Sequence, residues 1–221
     1  MEKVNNKCLI IGNGPSVNSI DFNSLKETPG VSTLCCNRID LLIKEENWYP
    51  DYYFCFKSEV DENWKNSIQY VCRHKNIKCF LSKEFKSFLS NTSNVTFVKN
   101  LKEHYRHSPI PDNLFETSFD ECQFKSYSAT VPLFQYCFSR DVKTIGIIGQ
   151  DGYIYNEGKN HFNDSYGYEA LNFKKSNDRI VLLHSAIQKH CRKNNIRIYN
   201  LTKESIIKNH SFLSFKEFLN L

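Results

Sequence analysis

At 221 residues, with 40% hydrophobic and 24% charged side chains, the chain can bury roughly 70% of its unfolded surface in one domain, which excludes a disordered tail or a fibrous protein. The formal net charge of +5 comes from Lys and Arg scattered along the chain rather than massed on one arm. That argues against a nucleic-acid partner and suits a small anionic substrate such as a nucleotide.

Nothing approaches 18 successive apolar residues, and Glu2, Lys3 and Asn5 follow Met1 where a leader would be apolar. The expectation is therefore a protein without a transmembrane helix or evident membrane association. Nine cysteines, an odd number, include no Cys-x-x-Cys pair, and the adjacent Cys35 and Cys36 lack zinc-ligand spacing. A reduced, cytoplasmic protein is expected, so Asn94-Val95-Thr96 should carry no glycan. The 17 Phe and 12 Tyr mostly supply core rings, although Tyr also serves as a sugar platform and proton donor.

Cys8 to Ile11 is a wholly apolar run that ends in Gly12-Asn13-Gly14-Pro15-Ser16, the pattern of a buried parallel strand feeding a tight turn. Pro15 suits a first helical turn, with Ser16 and Asn18 near the cap. Val31 to Cys36 and Tyr52 to Phe56 read as the next strands, and Ile77–Leu81 and Val95–Val98 as short ones around a helical stretch near Lys83–Leu89. Asn100 to Phe124 carries loop signals, Pro109 and Pro111 among them. Ala129 to Ser139 reads as a helix that tolerates Pro132 near its start. Lys143 to Gly149 is the clearest strand and ends at Gln150-Asp151. A helix from about Asp178 to Asn194 presents Ile180, Leu183 and Ile187 on one face, and Ile196–Tyr199 is the last strand. This order predicts an α/β fold: a single Rossmann-like domain over residues 1–221 with a mainly parallel central sheet flanked by helices. Segments 100–125 and 152–176 are candidate mobile loops over a lid or acceptor region.

In such sheets ligands sit beyond the carboxyl ends of the strands. Gly12 and Gly14 would let backbone approach a ligand there, with the amides that follow facing a phosphate. Three familiar readings fail. No Gly-Lys-Ser/Thr follows for a P-loop, Val17 stands where the dinucleotide fingerprint needs a third small residue, and no Gly-x-Ser-x-Gly elbow is present.

The full string Gly12-Asn13-Gly14-Pro15-Ser16 resembles the N-terminal motif of glycosyltransferase family 42, the bacterial sialyltransferases. Cys36-Asn37, Ser128-Ala129-Thr130 before an apolar helix, Ile147 to Tyr153, and the closing Ile196-Arg197-Ile198-Tyr199 strand are similar to further segments of that family. Together they cover about half of the chain, and nothing between residues 60 and 125. The resemblance implies a GT-A-like variant of the fold. The implied activity is inverting transfer of a sialic-acid-like sugar from a cytidine-monophosphate-activated donor to a glycan acceptor, without metal or cofactor, in polysaccharide biosynthesis. It also implies nucleotide binding by Gly12, Asn13, Gly14, Pro15, Ser16, Asn37, Ser128, Ala129, Thr130, Gln150 and Asp151.

Such a transfer needs a base for the acceptor hydroxyl and a group that neutralises the departing phosphate. The family uses a His and a pair of Tyr. Tyr153 falls where the first Tyr lies, and Tyr155 and His161 both stand near the second. The family's His position falls near Asp178, which leaves two substitutes. His161 lies in a polar loop with Asp164 available to orient its ring, and His184 lies within the late helix. His74, His104, His107, His190 and His210 have no context that lifts them above packing or solvent-facing roles. No Asp-x-Asp metal grip exists, and Glu59-Val60-Asp61 reads as a solvated acidic face. Two other classes stay open: a phosphotransferase resembling pterin diphosphokinases, which share a Gly-x-Gly-Pro-Ser turn and need magnesium and a nucleoside triphosphate, and an inactive nucleotide-binding module. Self-association is equally open.

Overall fold

The structure is a computed structural model that describes residues 4–57, 60–89, 93–98, 101–103, 110, 114–116, 118–120, 123–125, 128–152, 160–166 and 173–221. Its first half alternates strand and helix: β1 (Lys7–Ile11), α1 (Phe22–Glu27), β2 (Val31–Cys36), α2 (Asp40–Glu46), β3 (Tyr52–Cys55), α3 (Glu62–Arg73), β4 (Lys78–Ser82) and β5 (Val95–Val98). Then come β6 (Leu101–Glu103), β7 (Gln123–Lys125), α4 (Val131–Ser139), β8 (Thr144–Ile148), α5 (Phe173–Lys193), β9 (Arg197–Asn200), β10 (Ser211–Phe212) and α6 (Phe215–Leu219).

Eight strands form one sheet in the order β10-β9-β8-β1-β2-β3-β4-β5, and every described pairing in it is parallel. A parallel sheet with helices on both faces buries both sides of its strands, which is why β1, β2, β3 and β8 are buried at successive positions rather than at alternate ones. Along β1, Leu9 and Ile11 point into a core shared with α1, α2 and α3, while Cys8 and Ile10 point into one shared with α4 and α5. The expected α/β fold with a mainly parallel central sheet is what forms. The chain winds outward from β1 to β5, then returns to place β8 on β1's other side, with Ile11 opposite both Cys35 and Ile148. The order reverses at β1 and β8, so the crevice for a ligand opens beyond their carboxyl ends.

Local chemistry sets several elements that pattern reading did not find. Asp61, expected on a solvated acidic face, is the N-cap of α3, its carboxylate accepting from Trp64 N at 2.9 Å. Such a cap contributes about 1 kcal/mol. Beyond it Trp64, Ile68, Val71 and Cys72 return to one face at helical spacing and are all buried. The helical stretch near Lys83–Leu89 is a 3-10 turn over Lys83–Ser87. Pro15 opens another, Pro15–Ser19, in which Gly14 rather than Ser16 is the cap residue. Within the expected loop 100–125, β6 and β7 pair in parallel as a small separate sheet. The helix expected from Asp178 starts earlier, at Phe173. The eight described cysteines are all free and buried. No described helix is long and apolar enough to cross a membrane.

Candidate functional site

The turns after β1 and β8 are built against each other. Gly12 N donates to Ile148 O and Gly14 N to Gly149 O, both at 2.8 Å. Ser16 N donates to Asp151 Oδ2 at 2.9 Å, while Ser16 Oγ accepts from Gly149 N and from Thr202 Oγ1, each at 2.9 Å. A Cβ on Gly12 would lie 2.2 Å from Gly149 O, and one on Gly14 2.3 Å from Asp151 Oδ2. The close approach that these glycines permit is therefore by the neighbouring turn. Of the amides that follow them, Ser16 N is donated to Asp151 and Val17 N to Gly14 O, so these two do not face a phosphate as expected. Gly149 itself has φ +72°, the left-handed region that favours glycine.

What the crevice presents is side-chain chemistry. Asn13 reaches Cys36 Sγ with Nδ2 at 3.4 Å, joining the first turn to the end of β2, where Asn37 adopts φ +60°. Ser128 and Thr130, just ahead of α4, share a hydroxyl hydrogen bond at 2.8 Å, and Thr130 Oγ1 donates to Gln150 Oε1 at 3.3 Å. Ala129 between them is exposed. Several buried polar atoms of these turns and of the segment laid across them have no hydrogen-bond partner among the described residues, namely Asn13 Oδ1, Gln150 Nε2, Asp151 Oδ1 and Asn160 Oδ1. A buried orphan of this kind costs about 1–3 kcal/mol, so a cluster of them where two turns meet calls for a polar ligand. Burial raises the Asp151 carboxyl above its usual range, opposed by its bonds to Ser16 and Thr202.

Residues 160–166 lie across the first turn. Phe162 N donates to Asn13 O at 3.0 Å, and Asn18 Nδ2 to Phe162 O at 3.0 Å. At the other end Arg38, buried and paired with Asp40 at 3.1 Å, donates to Tyr166 O at 3.4 Å. His161 is thus held over Asn13, with Nδ1 at 3.3 Å from Asn13 O and its ring stacked on Tyr166 at 3.7 Å between centroids. Asp164, expected to orient that ring, is exposed in the 3-10 turn Asp164–Tyr166. Tyr153 and Tyr155 lie outside the described residues, as do His104, His107, Pro109, Pro111 and Glu59; so do much of the segments expected to be mobile loops, 100–125 and 152–176.

His184 is wholly buried on α5, with Nε2 at 2.9 Å from Gln150 Oε1 and Nδ1 at 2.8 Å from His210 Nε2. His210, to which the sequence gives only a packing or solvent-facing role, is buried and closes on Gln188. Burial drives the His184 imidazole well below its ordinary value and takes His210 from 6.5 to about 4. The unfolded chain therefore binds more protons between those limits. The stability that the neutral His210 ring confers is present above pH 6.5 and is lost as the pH falls to about 4, and His184 acts in the same direction. At about 1.4 kcal/mol per pH unit, His210 alone accounts for about 3 kcal/mol. Urea unfolding at pH 7.0 and 4.5 should show this loss in the native protein and a markedly smaller one in His210→Gln. Equal losses would remove the imidazole as its source.

No protein-family model matches the sequence, and no curated protein matches it either. Among solved structures, the sialyltransferase CstII from Campylobacter jejuni, in complex with the substrate analogue cytidine-5'-monophosphate, superposes over 97% of this chain and 86% of its own, with a TM-score of 0.56 at 13% identity. A tyrosine-to-phenylalanine variant of sialyltransferase Cst-II, in complex with CMP, matches over 94% and 86% with a TM-score of 0.53 at 14% identity.

The chain has the fold of these sialyltransferases. The resemblance read from Gly12–Ser16 thus holds at the level of architecture, over 94–97% of this chain. The structure brings Gly12–Ser16, Gln150, Asp151 and His161 together through the bonds above, ties Ser128, Thr130 and the buried His184 to them through Gln150, and sets Asn37 at the end of β2. Sequence reasoning missed Arg38, Tyr166, Thr202, Ser205 and His210. Ser205 Oγ donates to Gln150 O at 3.1 Å, so the loop after β9 supports the β8 turn from behind. The one signal for it was the stretch Thr202-Lys203-Glu204-Ser205, polar throughout and close behind the Ile196–Tyr199 strand.

Proposed function

We propose that this chain is a glycosyltransferase that moves a sialic-acid-like sugar from a CMP-activated donor to a glycan acceptor, with inversion and without a metal. The observation that carries the reading is the cluster of buried, unpartnered polar atoms on Asn13, Gln150 and Asp151 at the reversal point of the sheet. The CMP-bound sialyltransferases of the same fold support the choice of nucleotide. In this reading Asn13, Asp151 and Gln150 hold the donor, with Asn37, Ser128 and Thr130 completing the pocket. His161 takes the proton from the acceptor hydroxyl as its oxygen bonds to the anomeric carbon, and the bond from that carbon to the phosphate breaks to release CMP. Tyr153 is assigned to the departing phosphate.

CMP alone at about 100 times its dissociation constant should stabilise the fold by about 2.7 kcal/mol, and raise the melting temperature by roughly 5–10 °C. Stabilisation that needs magnesium and ATP would favour the phosphotransferase. CMP binding with neither transfer nor hydrolysis of a CMP-sugar would leave an inactive binding module.

A further inference from the structure

Two buried imidazoles stand in series behind the β8 turn. The file runs from Gln150 Oε1 to His184 Nε2 (2.9 Å), from His184 Nδ1 to His210 Nε2 (2.8 Å), and from His210 Nδ1 to Gln188 Oε1 (2.6 Å). Gln188 borders a surface cleft that it lines with Ser185, Lys189, Arg192 and Asn209. Phe134 closes the file's flank, its ring edge-on to His184 at 5.8 Å.

A neutral imidazole donates from one nitrogen and accepts at the other. Two neutral rings in series must therefore pass their hydrogens in one direction, and the amides at the two ends must comply. In one direction His184 donates to Gln150 Oε1, His210 donates to His184, and Gln188 turns its NH2 toward His210 Nδ1, a rotation that exchanges amide O and N. In the other, Gln150 donates its NH2 to His184 and turns its oxygen to where Nε2 now lies. The Ser128–Thr130 pair favours the first. Ser128 Oγ accepts from Thr130 N at 3.3 Å, which leaves its own hydrogen available for Thr130 Oγ1; with the pair set that way, Thr130 Oγ1 gives its hydrogen to Gln150 Oε1. The other unpartnered atoms of the crevice, Asn13 Oδ1, Asp151 Oδ1 and Asn160 Oδ1, are all acceptors. An amide NH2 beside Asp151 complements them, whereas a fourth oxygen would add repulsion.

We infer that His184 and His210 are positioning residues: their tautomers lock Gln150 with Oε1 held from behind and NH2 free, so the ligand atom read at this point is a hydrogen-bond acceptor, an oxygen of a carbonyl, carboxylate or phosphate. The placing of that ligand as a CMP-sugar donor rests on the function proposed above, but the hydrogen positions do not.

Long-range proton–nitrogen NMR of the histidine-labelled protein at pH 7.5 reads the tautomers directly. Both rings are expected neutral with the hydrogen on Nε2; a hydrogen on Nδ1 of either ring, or on both nitrogens of one, overturns the inference. In a second arm, Gln150→Glu, which offers only acceptors, should weaken CMP binding at least tenfold. His184→Phe should weaken it similarly by freeing the amide to turn, and His184→Gln, whose NH2 can still donate to Gln150 Oε1, should recover most of the loss. CMP affinity unchanged in Gln150→Glu, or lost equally in the Phe and Gln variants, overturns the positioning role. If the Phe variant does not fold, the native tautomers and Gln150→Glu still decide. A native protein that ignores CMP while showing both Nε2 hydrogens would sink the choice of nucleotide and leave the lock standing.

Discussion

Gly12→Ala should destabilise the protein by about 3 kcal/mol or more, a fall in melting temperature of roughly 6–12 °C for a chain of this size. The added methyl would stand 2.2 Å from Gly149 O and 2.7 Å from Gly149 C, both backbone atoms of the facing turn. Neither side can yield, because Gly12 N and Gly14 N are bonded to Ile148 O and Gly149 O, and Gly149 N to Ser16 Oγ. Gly14→Ala offers a contrast. Its methyl meets first Asp151 Oδ2, a side-chain atom able to swing aside. That variant should lose less stability and more ligand affinity, since the displaced group is the crevice carboxylate. Calorimetry on both variants checks this; a Gly12→Ala protein that melts within about 2 °C of the native one would refute the contact between the turns.

His161→Ala should lower kcat for transfer from a CMP-sugar by about 10²–10⁴-fold, the ordinary contribution of a general base, while changing CMP affinity by less than about threefold. The split follows from where the ring is held. Its Nδ1 lies against Asn13 O and its face against Tyr166, so the ring is fixed in orientation by a backbone carbonyl and a stacked phenol. Tyr166→Leu removes the stacking face but leaves the imidazole, and should reduce kcat about tenfold through misplacement alone. Steady-state kinetics with direct CMP titration distinguishes these outcomes. An undiminished kcat in His161→Ala would take this residue out of the proposed chemistry.

The strands were legible because a parallel sheet covered on both faces buries successive side chains, and β1, β2 and β8 supply short runs, apolar or small apart from Lys7, Ser32, Thr33 and Thr144, with glycine or asparagine at the end. The turn Gly12–Ser16 was legible as a place of close approach. What approaches it was not, since the partner is the turn after β8, far along the chain. Asp61 was misread for a related reason: an acidic residue before a helix looks the same as one on a solvated face until the Trp64, Ile68, Val71 series is counted. His210 could not be recognised at all. Its significance comes from a loop that folds back under α5 to meet His184, 26 positions earlier, and no local pattern records that return.

β1 sits in the middle of the sheet, yet its two neighbours arrive at very different times during synthesis. β2 follows it almost at once, while Ser16 waits for Asp151, 135 positions downstream. Until β8 emerges, a growing chain carries β1 with one bare edge, an invitation to mispairing with other chains. N-terminal fragments that stop short of β8 should therefore aggregate rather than fold, and the crevice should be among the last features to assemble, formed by one late, long-range pairing.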